Sequence, residues 1–196
     1  MKKNTLAKND SVKALLQVLS DTKMETTAKD LLDMVQYVDK MENQLDAVLK
    51  ELQEVKNQLN GIQETNANRG IRSGIKKAIS RLEVEAAKLK QQIIGVKTMI
   101  VKQAKKAVDA FREKGVRGLN HALNLLGVKR SLQSVRKALV SLEEKADAAI
   151  GKVEQIQERS SKSSISKNIK AFQEKQGEQK NDMVSPSKNK RIEASL

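Results

Sequence analysis

The chain has 196 residues, 38 basic against 24 acidic side chains for a net charge of +14, a single proline and no cysteine, which rules out disulfides, thiolate catalysis and cysteine metal sites. Its aromatics are only Phe111, Phe172 and Tyr37, so the apolar content is Leu, Val, Ile, Ala and Met, a composition suited to helix seams rather than to a sandwich or compact α/β core. Asn4, Lys8, Asn9 and Asp10 interrupt the stretch after Met-Lys-Lys and no run of about 18 apolar residues follows, so neither a signal peptide nor a membrane span is expected and a cytoplasmic protein is.

Residues 1–10 are polar and read as a flexible N-terminus. Asp10 or Ser11 can cap a short helix that carries Val12, Leu15, Leu16 and Leu19 on one face, and Ser20–Thr27 reads as a turn. Thr26 or Thr27 can then cap a long helix, with Asp30 and Asp33 near its positive end. Over 31–62 that helix follows a strict heptad: Leu31, Val38, Leu45, Leu52 and Leu59 at one core position, Met34, Met41, Val48, Val55 and Ile62 at the other. Leu32, Val35 and Leu49 lie beside this seam and widen the stripe enough for more than one neighbour. Leucine at one core slot with Val, Met or Ile at the other departs from the pattern of a parallel dimer and favours packing within the chain.

Gly61 and the polar run from Gln63 to Gly74 predict a helix stop and a connector. A second long helix follows, with Ile75, Ile79, Leu82, Ala86, Leu89, Ile93, Val96 and Ile100 at core spacing before a slip of phase to Ala104, Val108 and Phe111. Lys114-Gly115 breaks the pattern. Val116–Leu126 reads as a short helix stopped by Gly127, and a third long helix from about Lys129 has the core set Val128, Leu132, Val135, Leu139, Leu142, Ala146, Ala149, Val153 and Ile156. From Ser160 the composition turns to Ser, Lys, Gln, Asn and Glu. Ile165, Ile169 and Phe172 could form one or two amphipathic turns, with disorder expected beyond Gln176.

These elements predict an all-α chain in three parts: a flexible 1–10, a helical domain over 11–159 and a basic, largely disordered tail over 160–196. The domain is expected to be an elongated antiparallel bundle of three long helices, with a short N-terminal helix and a short capping helix.

Chemistry-bearing constellations are few. His121 stands beside Asn120 and Asn124 without a second histidine at ligand spacing, and reads as a surface or end-cap residue. Glu143, Glu144, Asp147 and Glu154 read as solvated charge on a helix exterior. The serines of 160–166 have no nucleophile elbow, and Gly115 and Gly118 lack the context of a phosphate loop. No catalytic residue, metal ligand, cofactor site or small-molecule substrate is expected, and an enzyme is the class this sequence supports least.

Charge is the one functional signal. Residues 1–68 carry 9 basic against 11 acidic side chains, residues 69–137 carry 18 against 4, residues 138–159 carry 3 against 5, and the tail carries 8 against 4. On a helical wheel Lys76, Lys77, Arg81, Lys88, Lys90, Lys97, Lys102, Lys105, Lys106 and Arg112 are assigned to one flank of the second long helix, with Glu85, Gln92 and Gln103 on the other. Such a stripe could follow a phosphate backbone by counterion release without reading sequence. The competing explanation is that part of it pairs with the acidic first helix while the rest is solvated. Stacking aromatics and a DNA-reading motif are absent, and the apolar positions of 93–126 fit a bundle seam better than a membrane surface. The expected partners are therefore another protein or a second copy through the helices, with nucleic acid as the alternative and a membrane surface disfavoured.

Two segments carry a family resemblance. One runs from Met34-Val-Gln-Tyr-Val-Asp-Lys-Met-Glu-Asn-Gln-Leu to Gln58-Leu-Asn-Gly-Ile-Gln, the other from Ala104-Lys-Lys-Ala-Val-Asp-Ala-Phe-Arg-Glu-Lys-Gly-Val to Arg136-Lys-Ala-Leu. Together they resemble an uncharacterised family of helical bacterial proteins, a domain of unknown function often carried on conjugative or other mobile elements. The resemblance spans roughly residues 10–156. It implies an accessory role in maintenance or transfer of such an element, and it brings no catalytic residues.

Overall fold

The computed structural model describes residues 5–62 and 69–181, with side chains throughout except at 160 and 163–181. Among the described residues all regular structure is helical: a 3-10 turn at Leu6–Lys8, then α1 (Asp10–Asp21), α2 (Glu25–Gly61), α3 (Arg69–Ala122) and α4 (Leu126–Asn181). None of these helices is long and apolar enough to cross a membrane.

The helix ends show local chemistry at work. Asn9, in extended conformation, caps α1, its Oδ1 accepting from the N–H groups of Ser11 at 3.0 Å and Val12 at 3.4 Å. The cap is thus one residue ahead of the Asp10 or Ser11 read from sequence, since either side chain can serve only from the position outside the first turn. α1 closes with Lys23 in the left-handed region at φ 57, which lets the Met24 N–H reach the Leu19 carbonyl at 2.8 Å. This tight stop leaves only Thr22–Met24 between α1 and α2. α2 therefore begins at Glu25 with Met24 preceding it and no side-chain cap, so Thr26 and Thr27, the expected caps, lie inside the first turn.

Every heptad core position read in α2 is buried, from Leu31 to Ile62. Of the three residues beside the seam, Val35 is fully buried and Leu49 half-buried, whereas Leu32 stays 38 % exposed. The difference is one of side: α1 packs on α2 and α3, and Val35 joins the core shared with Val12, Leu15 and Leu19.

α3 starts at Arg69, so Gly70 and Gly74 lie within the helix rather than in the connector; the rest of the expected connector, 63–68, lies outside the described residues. Its eight heptad residues from Ile75 to Ile100 are buried, as are Ala104 and Val108 after the phase slip, while Phe111 is half-buried. The expected break falls at Gly115, whose φ of 61 and ψ of −148 belong to a region that side chains other than hydrogen rarely enter. The chain folds back there. Gly118 then sits so close to the Ala110 carbonyl that a Cβ would collide with it, and Gln103 Nε2 donates to the Ala122 carbonyl across the turn. Leu119 closes this end of the core.

The short helix ends at Ala122, not Leu126. Asn124 Oδ1 accepts from the Leu126 N–H at 3.2 Å and starts α4 there, which places Gly127 in its first turn rather than at a stop. All of the expected core positions of α4, Val128 to Ile156, are buried.

Ion pairs fix the directions of the helices. Lys56–Glu83 at 2.8 Å and Lys97–Glu42 at 2.6 Å run α3 antiparallel to α2. Lys145–Glu85 at 2.8 Å and the contact of Ser131 Oγ with Met99 Sδ run α4 antiparallel to α3. Lys129–Asp30 at 2.7 Å sets the start of α4 beside the start of α2.

The chain divides into two compact units, Met1–Val153 and Glu154–Leu196. The first holds the interhelical pairs above. The second holds the C-terminal part of α4, regular through Asn181 and so extending past the boundary expected at residue 160; residues 182–196 of the expected tail lie outside the described ones.

Candidate anion-binding face

The ten cations singled out on α3 do not share one flank. Lys76, Lys90 and Lys97 each follow a buried residue directly, after Ile75, Leu89 and Val96, and so stand in the row that contains Glu83. This row looks toward α2, as the Lys56–Glu83 pair shows. Arg81, Lys88 and Lys102 fall in a different row, spaced at whole heptads with Gly95 between them, and lie on the side of α4. Arg81 rims a groove of about 320 Å³ between α3 and α4, over a floor that includes Ile75, Leu82 and Ala149. Lys102 rims a second one of about 530 Å³, together with Ser131 and Ser134. Lys77, Lys105 and Lys106 are exposed on the outer surface.

Lys97 leaves the set altogether. Its Nζ lies 2.6 Å from Glu42 and 3.6 Å from Asp39, with all three side chains no more than 25 % exposed. Asp39 in turn accepts the Leu6 backbone N–H at 3.1 Å. The cluster fastens the N-terminal segment onto the α2–α3 hairpin, so this lysine is structural. The packed region consequently begins at Leu6, itself buried, ahead of the boundary expected at residue 11. Arg112 has a local partner in Asp109 at 3.8 Å, an exposed pair of little energetic weight.

The other eight, Lys76, Lys77, Arg81, Lys88, Lys90, Lys102, Lys105 and Lys106, are exposed and have no carboxylate partner among the described residues. Rows along α3 with about 10.5 Å between heptad positions therefore present uncompensated positive charge to solvent. Glu85 and Gln92, assigned from sequence to the opposite flank, line the same α4-side grooves as Arg81 and Lys102; Glu85 is held by Lys145 and Gln103 by the Ala122 carbonyl. Arg130 and Lys137 of α4 are exposed cations too, within the 69–137 stretch whose basic excess is visible in the sequence.

No group of three or more His, Asp or Glu among the described residues is placed to hold a metal ion, and His121 is an exposed residue at the end of α3.

A family model described as a family of unknown function, DUF6674, matches residues 8–193. The chain belongs to this family. The match extends beyond the 10–156 covered by the resemblance and takes in the polar C-terminal segment. No curated protein and no solved structure matches the chain.

Proposed function

We propose that this member of DUF6674 is a non-enzymatic helical interaction module, an antiparallel three-helix bundle that offers the exposed cations of α3 to an anionic macromolecule. One observation carries this reading: Lys56, Lys97, Lys129 and Lys145 each have a carboxylate partner on another helix, whereas eight cations along α3 have none among the described residues. Solvent-facing charge of one sign adds nothing to a helical core and raises the local concentration of polyanions. An accessory protein of a bacterial mobile element is the setting that the family resemblance suggests.

Two classes of partner fit, an acidic protein surface and duplex nucleic acid. The second is favoured by the run of Arg81, Lys88 and Lys102 on one side of a rod-like helix, which suits a backbone contact without base readout. Titration of labelled duplex DNA at several salt concentrations separates them. Nucleic-acid binding requires an affinity that falls steeply with salt and is similar for unrelated sequences, and replacing those three cations by Gln should flatten the log–log slope by up to about 0.9 per lost phosphate contact. Absence of binding at low salt removes DNA and leaves the acidic protein.

A further inference from the structure

The outer face of α4 carries charges that the bundle does not use. Lys129 and Lys145, at the edges of the helix, are held by Asp30 and Glu85. Arg130, Lys137, Glu144 and Asp147 are exposed and have no partner among the described residues. Their order along the helix is basic, basic, acidic, acidic. Between the two halves stands Val140, 44 % exposed, one of two large apolar side chains that α4 leaves exposed among the described residues, the other being Leu126 at its start. Arg130, Lys137 and Glu144 are spaced at sevens and so share one face, with Val140 and Asp147 in the adjoining row.

Lys137 and Glu144, opposite in sign, lie equally far from the point between residues 140 and 141, which is the property a self-complementary surface needs. We propose that this face binds a second copy of the chain, α4 against antiparallel α4 about a two-fold axis near Val140. A two-fold there sets Lys137 opposite Glu144 of the other copy, twice over, because the two residues lie equally far from the axis, each about 5 Å along the helix. Arg130 falls opposite Gly151 of the other copy, one turn from Asp147 and within reach of a guanidinium. Gly151, which carries no side chain, lets the backbones approach and brings Val140 toward the axis. A parallel alignment would instead stack lysine on lysine and glutamate on glutamate. Charge order therefore selects both the partner and its direction.

One helix pair over 130–151 is a smaller contact than the roughly 1,200–2,000 Å² of stable interfaces, and its charges are exposed, so the dimer is reversible and salt-sensitive. This deepens the interaction-module reading, and its test is separate from the DNA titration, which replaces only cations of α3.

Sedimentation velocity of the full chain over a concentration series tests it. A monomer–dimer equilibrium is expected at about 0.1 M salt, shifting to monomer at about 1 M, where the Debye length falls from about 10 Å to about 3 Å. Lys137→Glu alone and Glu144→Lys alone should each weaken self-association at least about tenfold, because like charges then face each other at both sites. An equimolar mixture of the two variants should form a heterodimer, every facing pair again being opposite in sign. Recovery in the mixture also shows that both variants are folded, and matching circular dichroism melts check this independently. A wild-type monomer at all concentrations overturns the proposal. So do single variants that dimerise as the wild type does, or a mixture that stays monomeric. Failure to bind DNA leaves it untouched, and a monomeric chain leaves the anion-binding reading standing.

Discussion

Leu52 and Leu126 offer one substitution in two environments. Leu52 is fully buried in the seam of α2, and Leu126 is 66 % exposed at the start of α4. Leu52→Ala removes three carbons from the core, about 2.4 kcal/mol of transfer free energy at about 0.8 kcal/mol each. Each 50 Å³ of cavity that fails to collapse adds about 1.2 kcal/mol. The better helix propensity of alanine returns only a few tenths. A loss of about 3–4 kcal/mol results, equivalent to roughly 7–14 °C in Tm for a unit of this size. Leu126→Ala should stay within about 0.5 kcal/mol of wild type. Urea unfolding followed by far-UV circular dichroism reads both, as a shift in midpoint at unchanged slope. If the two variants shift alike, or if Leu52→Ala costs less than about 1 kcal/mol, the heptad seam is not what holds α2 in place.

Other perturbations probe single contacts. Gly115→Ala forces a Cβ into the backbone region at φ 61 and ψ −148 and should cost about 1–3 kcal/mol in the same assay; an unchanged melt would contradict the chain reversal at that point. Lys23→Gly relieves a side chain from the left-handed conformation that ends α1, and a gain of up to about 1 kcal/mol is expected, with destabilisation as the contrary result. Asp39→Ala removes both the acceptor of the Leu6 N–H and one of the Lys97 carboxylates, so hydrogen exchange at the Leu6 amide should accelerate while the α4 core stays protected; equal exchange in both proteins refutes the tether.

Core membership was legible in the sequence because burial in a long helix depends only on spacing. The stripes from Leu31 to Ile62, Ile75 to Ile100 and Val128 to Ile156 are buried at every expected position, and a helix has just one way to set residues three and four apart on a common face. The break at Gly115 was equally visible, since the core spacing of 75–111 does not continue past it, whereas Gly127, also read as a stop, lies inside α4. Helix ends were less legible. Asn9, Asp10 and Ser11 are all competent caps, and choosing among them requires the direction in which the preceding chain arrives. Leu32 and Val35 are equally apolar and both adjoin the α2 seam, but α1 packs against only one side of it.

Charge is where composition alone misleads. A lysine's side chain carries no record of its partner, and Lys97 meets Glu42, 55 positions away in sequence, only because their two helices run antiparallel in one register. The same register leaves Arg81, Lys88 and Lys102 without a carboxylate among the described residues. The sequence by itself determined that the described residues are helical, which heptad positions are buried and that the basic charge is concentrated in the middle. Tertiary structure alone decided which cations are structural and which remain open to a partner. Apolar burial follows from periodicity within one helix, whereas an ion pair depends on the distance between two of them.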